Sequence, residues 1–124
     1  MASLPKLTIA FAAGRTAFGI ALLAAPSRVG ESWLGPVAGE RPVHIALRGL
    51  GARDIALAAG AAWAASRGES LRPWLIGTAA GDLADLGATL AAGDSIPSRA
   101  RWGTLALAGG SALAGAALAA WADS

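Results

Sequence analysis

The sequence predicts an all-α protein, an integral membrane antiparallel four-helix bundle forming a single domain over residues 1–124, and three observations predict it. The composition is 55% hydrophobic and 15% charged with a mean hydropathy of +0.53, too apolar for an ordinary soluble domain. Four apolar stretches follow one another, each about the 20 residues needed to cross a hydrocarbon core of ~30 Å. All five tryptophans fall at the ends of these stretches or in a loop. Trp63, Trp74 and Trp121 mark one face of a bilayer and Trp33 and Trp102 the other, and Trp102 to Trp121 covers roughly 28 Å of helix, the span an aromatic belt brackets. A soluble four-helix bundle is the alternative. It needs a polar stripe on every helix, and the stretch from Gly103 to Trp121 has no charged residue on any side.

The first span covers residues 5–25, with Ser3 as N-cap and Pro26 as its stop. Lys6 and the apolar run after it resemble a signal peptide, but the run is long, carries Arg15 at its centre and meets Pro26 where a cleavage site needs a small residue. It is expected to be retained. The connection from Pro26 to Arg41 has room for a short interfacial helix from Ser27 to Leu34, with Trp33 at the headgroup level. The second span, 42–66, opens on Pro42 and ends at Arg67-Gly68. The third, 73–92, has Ser70 as a cap and stops at Gly93-Asp94, and the fourth, 100–121, is capped by Ser98. Short connections make consecutive helices antiparallel neighbours. Arg28, Arg41, Arg99 and Arg101 at one end slightly outnumber Lys6, Arg67 and Arg72 at the other, which favours both termini outside a bacterial cytoplasmic membrane.

Six ionisable residues lie well inside the spans: Arg15, Arg48, Arg53, Asp54, Asp82 and Asp85. A charge at mid-bilayer costs several kcal/mol unless paired, so mutual neutralisation in buried salt bridges is expected. Counted from the end that bears the first and third loops, Arg48 and Asp85 both lie about 9 to 11 Å deep and form a natural pair. Arg15, Arg53, Asp54 and Asp82 gather near the midplane. Thr78, Asp82, Asp85 and Thr89 share one helical arc that must face the interior. The charges of the second span are splayed around its axis, so protein surrounds it on most sides, through crowding or through a second protomer in a homodimer. Small-residue edges at Gly49, Arg53, Ala56 and Gly60, and at Thr104, Ala108, Ser111 and Gly115, suit close helix approach.

Each feature has a bland reading beside a functional one. The arginines Arg15, Arg48 and Arg53 either fix helix register or bind a polar ligand. Asp82 and Asp85, on adjacent turns, repel when both are ionised, so one holding a proton can serve as acid or base. Asp54 is a counter-ion of Arg15 or Arg53 or a third catalytic carboxylate. His44, one turn from Arg48, is a headgroup contact or a binding residue. The threonines, with Ser111, ordinarily hydrogen-bond helix backbones. With no Cys, one His, no Tyr and no methionine beyond Met1, thiolate metal sites, disulfides and Cys-anchored haem are removed, and no metal or cofactor is expected. No basic run grips phosphate backbones, so nucleic acid is not an expected partner.

An Arg in the first span, Arg48-Gly-Leu-Gly-Ala-Arg-Asp54 in the second and Gly81-Asp-Leu-Ala-Asp85 in the third resemble a family of uncharacterised small four-span bacterial integral membrane proteins. The resemblance covers most of the chain, implies the four-span architecture and carries no activity. Small multidrug transporters share the size but have a Glu in the first span where Arg15 stands here, and the Phe and Asn pattern of fluoride channels is missing. Three functions fit the residues. One is an acid/base enzyme, of isomerase, cyclase or hydratase type, acting on a lipophilic small molecule, with Asp82 and Asp85 as acid and base and arginines orienting a carboxylate. The others are a proton-coupled small transporter or channel subunit, and a structural accessory subunit of a membrane complex.

Overall fold

A computed structural model describes residues 3–122, all helix and connecting turns, with no strand among the described residues. Five α-helices follow in order: α1 (Leu4–Ala24), α2 (Pro26–Leu34), α3 (Arg41–Arg67), α4 (Arg72–Ala92) and α5 (Ser98–Ala122). Short 3₁₀ turns at Gly35–Gly39 and Gly93–Ser95 lie between them. Local chemistry sets the boundaries. Ser3 caps α1 by accepting from the Lys6 amide at 3.3 Å, and Pro26, which has no N–H to continue the ladder, ends it and opens α2. Gly68 closes α3 in the left-handed conformation at φ 68°, where a side chain would be strained. At the start of α4 the expected cap Ser70 is not used: Leu71 holds the N-cap position and no side chain caps the end.

The four long helices run alternately up and down, α2 crossing one end between α1 and α3. They form two close pairs, α1 on α3 and α4 on α5. At the first contact the backbones touch: a Cβ on Gly19 would meet the Gly51 carbonyl oxygen at 2.6 Å, and one on Gly51 the Gly19 oxygen at 2.7 Å. At the second, Gly115 lies against the Leu75 carbonyl and Ala79. Between the pairs, Trp74 covers Gly60 of α3, while α1 and α5 touch only sparsely.

The interior is filled mainly by small side chains, and many large apolar ones lie on the outside. The buried set is small or polar: Ala12, Ala58, Ala61, Ala64, Thr8, Thr78, Asp54 and Asp82, with few large aliphatics such as Leu22 and Leu75. Leu or Ile points outward on every long helix, as with Ile20 on α1, Ile45 on α3, Leu83 on α4 and Leu113 on α5, the last 74% exposed. By length and apolarity two helices, α1 and α5, can cross a membrane. The mid-helix charges of α3 and α4 keep those two below that measure, so four uniformly apolar spans are not what the structure holds. Trp63, Trp102 and Trp121 are exposed at helix ends. Trp33 is half-buried, and its Nε1 donates to Thr89 Oγ1 of α4 at 3.0 Å.

Candidate functional site

Five charged side chains from three helices and one hydroxyl from a fourth meet between the two helix pairs. Arg15 of α1 is the hub. Its Nη2 donates to Asp54 Oδ1 of α3 at 2.8 Å, and its Nη1 donates to Asp82 of α4 and to Ser111 Oγ of α5, both at 2.9 Å. The guanidinium also sits 5.9 Å from the Phe11 ring centroid. Arg53 completes the network, with Nη2 at 2.9 Å from Asp85 Oδ2 and 3.2 Å from Asp54 Oδ1. Charge-assisted, partly forked bonds of this kind are the strong ones in a dry interior. The Nε of Arg15 and the Nε of Arg53 are buried without a hydrogen-bond partner.

The sequence places these groups through simple geometry. Asp82 and Asp85 are three residues apart and share a face of α4, while Arg53 and Asp54 are neighbours on α3 and point about 100° apart, one toward α4 and the other toward α1. Gly81 leaves room for the Arg53 guanidinium, since a Cβ there would meet its Cζ at 3.3 Å. Thr78 and Thr89 bond back to the carbonyls of Trp74 and Asp85, as their type suggests. Ser111 does not: it accepts from Arg15, a role its place as the lone hydroxyl in mid-α5 would have signalled.

Two residues expected in the site lie elsewhere. The Arg48–Asp85 pair does not form, because Arg53 takes Asp85 and Arg48 projects from the exposed side of α3. Its Nε donates to the Leu23 carbonyl at 3.3 Å, a last-turn oxygen of α1 that the helix end leaves without an amide donor, so Arg48 is a helix cap. His44 bonds Ser27 Oγ at 2.7 Å and ties α2 to α3, about 15 Å along the helix from Asp54. The loss of Arg48 changes the charge count. Three carboxylates, Asp54, Asp82 and Asp85, face two guanidiniums, and the cluster is formally −1 where a neutral set of six was expected.

The network forms the floor of a crevice of about 690 Å³ between α1 and α5. Phe18, Leu22, Leu107 and Ala108 are among its apolar walls, and Val29 and Trp33 of α2 close one end. A second cavity of about 400 Å³ lies beyond Trp33, bounded by Leu34, Val43, Leu47 and Arg53. Trp33, Leu50 and Asp85 line both.

Comparison with protein-family models, curated proteins and solved structures finds no match to this chain. The resemblance to small four-span membrane proteins therefore rests on the quoted motifs alone. The chemistry open to the site follows from its contents: carboxylates held at fixed positions by guanidiniums, one more acid than base, at the bottom of an apolar slot.

Proposed function

We propose that this protein is an integral membrane bundle of four spans, in a bacterial cytoplasmic membrane, whose α1–α5 crevice takes a lipophilic small molecule with its polar end on the Arg/Asp network. The carrying observation is the crevice itself, about 690 Å³, with apolar walls and a floor of Arg15, Asp54 and Asp82. Outward Leu and Ile on all four long helices, with Ala, Gly and Thr inside, support the membrane setting, because in lipid small residues, not large ones, bring helices together. Of the charges within α3 and α4, Arg53, Asp54, Asp82 and Asp85 are directed into the network, as the setting requires, while Arg48 lies on the exposed side of α3 near its start.

Within this reading the surplus carboxylate supports acid/base work. Asp54, Asp82 and Asp85 outnumber Arg15 and Arg53 by one. In this reading Asp82, at the crevice floor, is the acid toward a bound molecule and Asp85 the base, the pattern of an isomerase, cyclase or hydratase. The test is to purify the protein in mild detergent and identify co-purifying lipophiles by native mass spectrometry, beside the crevice-blocking variant Leu107→Trp. A species retained by the wild type and lost in the variant is expected. Equal recovery from both, or none from either, would sink the reading. A proton-coupled transporter is the second reading, favoured by one observation: Asp85 is reached from cavities on both sides of Trp33. Proteoliposomes that show no proton flux with any lipophile found in the crevice would remove it.

A further inference from the structure

The floor of the crevice holds a particular electrical imbalance. Asp54 is 3% exposed, and both arginines reach it through Oδ1 alone. Its Oδ2 receives no hydrogen bond among the described residues, and the residue lines the crevice. Arg15 and Arg53 already spend their Nη groups on carboxylates and keep only one buried Nε each unbonded, so an anionic ligand would find no free pair of terminal nitrogens and would add to a cluster that already has one carboxylate more than guanidiniums. Arg99 also lines the crevice, but it lies about 18 Å along α5 from Ser111, near the helix end, where water screens it.

The walls point the same way. The chain has only two phenylalanines, and both, Phe11 and Phe18, line this crevice together with Trp33. Aromatic faces attract cations, the more so when water is excluded. A surplus of one carboxylate over the guanidiniums, the rings of Phe18 and Trp33 beside the Phe11 that Arg15 already faces, and aliphatic walls in one slot are the recognition elements for a quaternary or tertiary ammonium carried on an apolar body.

We propose that the ligand of the crevice is a lipophilic cation, an ammonium on a hydrocarbon or aromatic body, held by the surplus negative charge of the cluster. The ionisable groups that face the ammonium are Arg15, Arg53, Asp54, Asp82 and Asp85, with Arg99 at the mouth. This inference rests on the crevice being the binding site proposed above.

The experiment uses the full chain in nanodiscs and three diazirine-tagged probes with one dodecyl body: dodecyltrimethylammonium, dodecanol and dodecanoate. Photolabelling is mapped by peptide mass spectrometry. The ammonium is expected to label α1 and α5 around Phe18 and Leu107 at about tenfold lower concentration than the other two. Asp54→Asn, which neutralises the cluster, should abolish the preference for the ammonium. Should that variant fail to fold, the order of the three probes on the wild type and the loss of labelling in Leu107→Trp, which blocks the slot without touching a charge, still decide. Labelling of the crevice by dodecanol or dodecanoate as readily as by the ammonium overturns the cation and leaves the site standing. Labelling of the crevice by none of the three overturns both.

Discussion

Arg15 shows how one side chain can hold four helices in register. Its two terminal nitrogens bond α3, α4 and α5 at once, and a planar fork does this where a single ammonium cannot. Replacing Arg15 with Met leaves Asp54 and Asp82 buried without their main partner and is expected to cost about 3 to 5 kcal/mol, read as a drop in unfolding free energy in SDS titration. Arg15→Lys should recover only part of it. Arg48→Gln, by contrast, removes a helix-end cap on an exposed surface and should cost under about 1 kcal/mol. Equal losses at positions 15 and 48 in that titration would refute the division between them. The sequence alone could not make that division. Arg48, Arg53 and Asp54 point in three directions around α3, and counting depth along a helix says how far in a charge lies without saying which neighbour it faces.

Among elements, α1 and α3 depend on bare backbone at their crossing. A side chain on Gly51 meets the Gly19 carbonyl, which cannot move aside as a flexible side chain could. Gly51→Val should therefore destabilise by roughly 1 to 3 kcal/mol, measured by thermal denaturation in detergent, whereas Gly14→Ala, with nothing within 4 Å of the added carbon, should be neutral or slightly stabilising. A neutral Gly51→Val would mean the two helices do not cross there. The short α2 is fastened by Trp33 to Thr89 and by Ser27 to His44, and Trp33→Phe, which keeps the ring and loses the donor, should cost about 1 kcal/mol by the same measurement. Proline, glycine and serine punctuation made the element boundaries legible to within a residue or two, α2 included. The bond from Trp33 to Thr89 was not legible, since a tryptophan at a helix end reads the same whether its ring meets a headgroup or a threonine from a distant part of the chain.

For the whole molecule, the question is how many helices cross. Cysteine is absent from the sequence, so single-cysteine variants report cleanly. If all four long helices span, Glu69→Cys between α3 and α4 and Ser95→Cys between α4 and α5 lie on opposite faces and react with a membrane-impermeant maleimide from opposite sides. If only α1 and α5 span, both label from the same side. Opposite-face labelling is the expected outcome in sealed vesicles, and same-face labelling would reduce the protein to two spans. Composition announced an all-helical chain, and neutrality arguments announced that its inner charges would meet. What composition could not announce was their count, because six ionisable residues in the spans do not reveal that one of them serves a carbonyl instead of a carboxylate.

The pairing of α1 with α3 and of α4 with α5 also says how the protein can move. Glycine lets backbone touch backbone within each pair, while the join between pairs is made largely by long side chains and ion contacts. Separation along that seam would stretch side chains and leave main-chain packing intact. Breathing of the bundle should therefore run sideways, parting the outer lips of the crevice, with each pair travelling as one stiff plank.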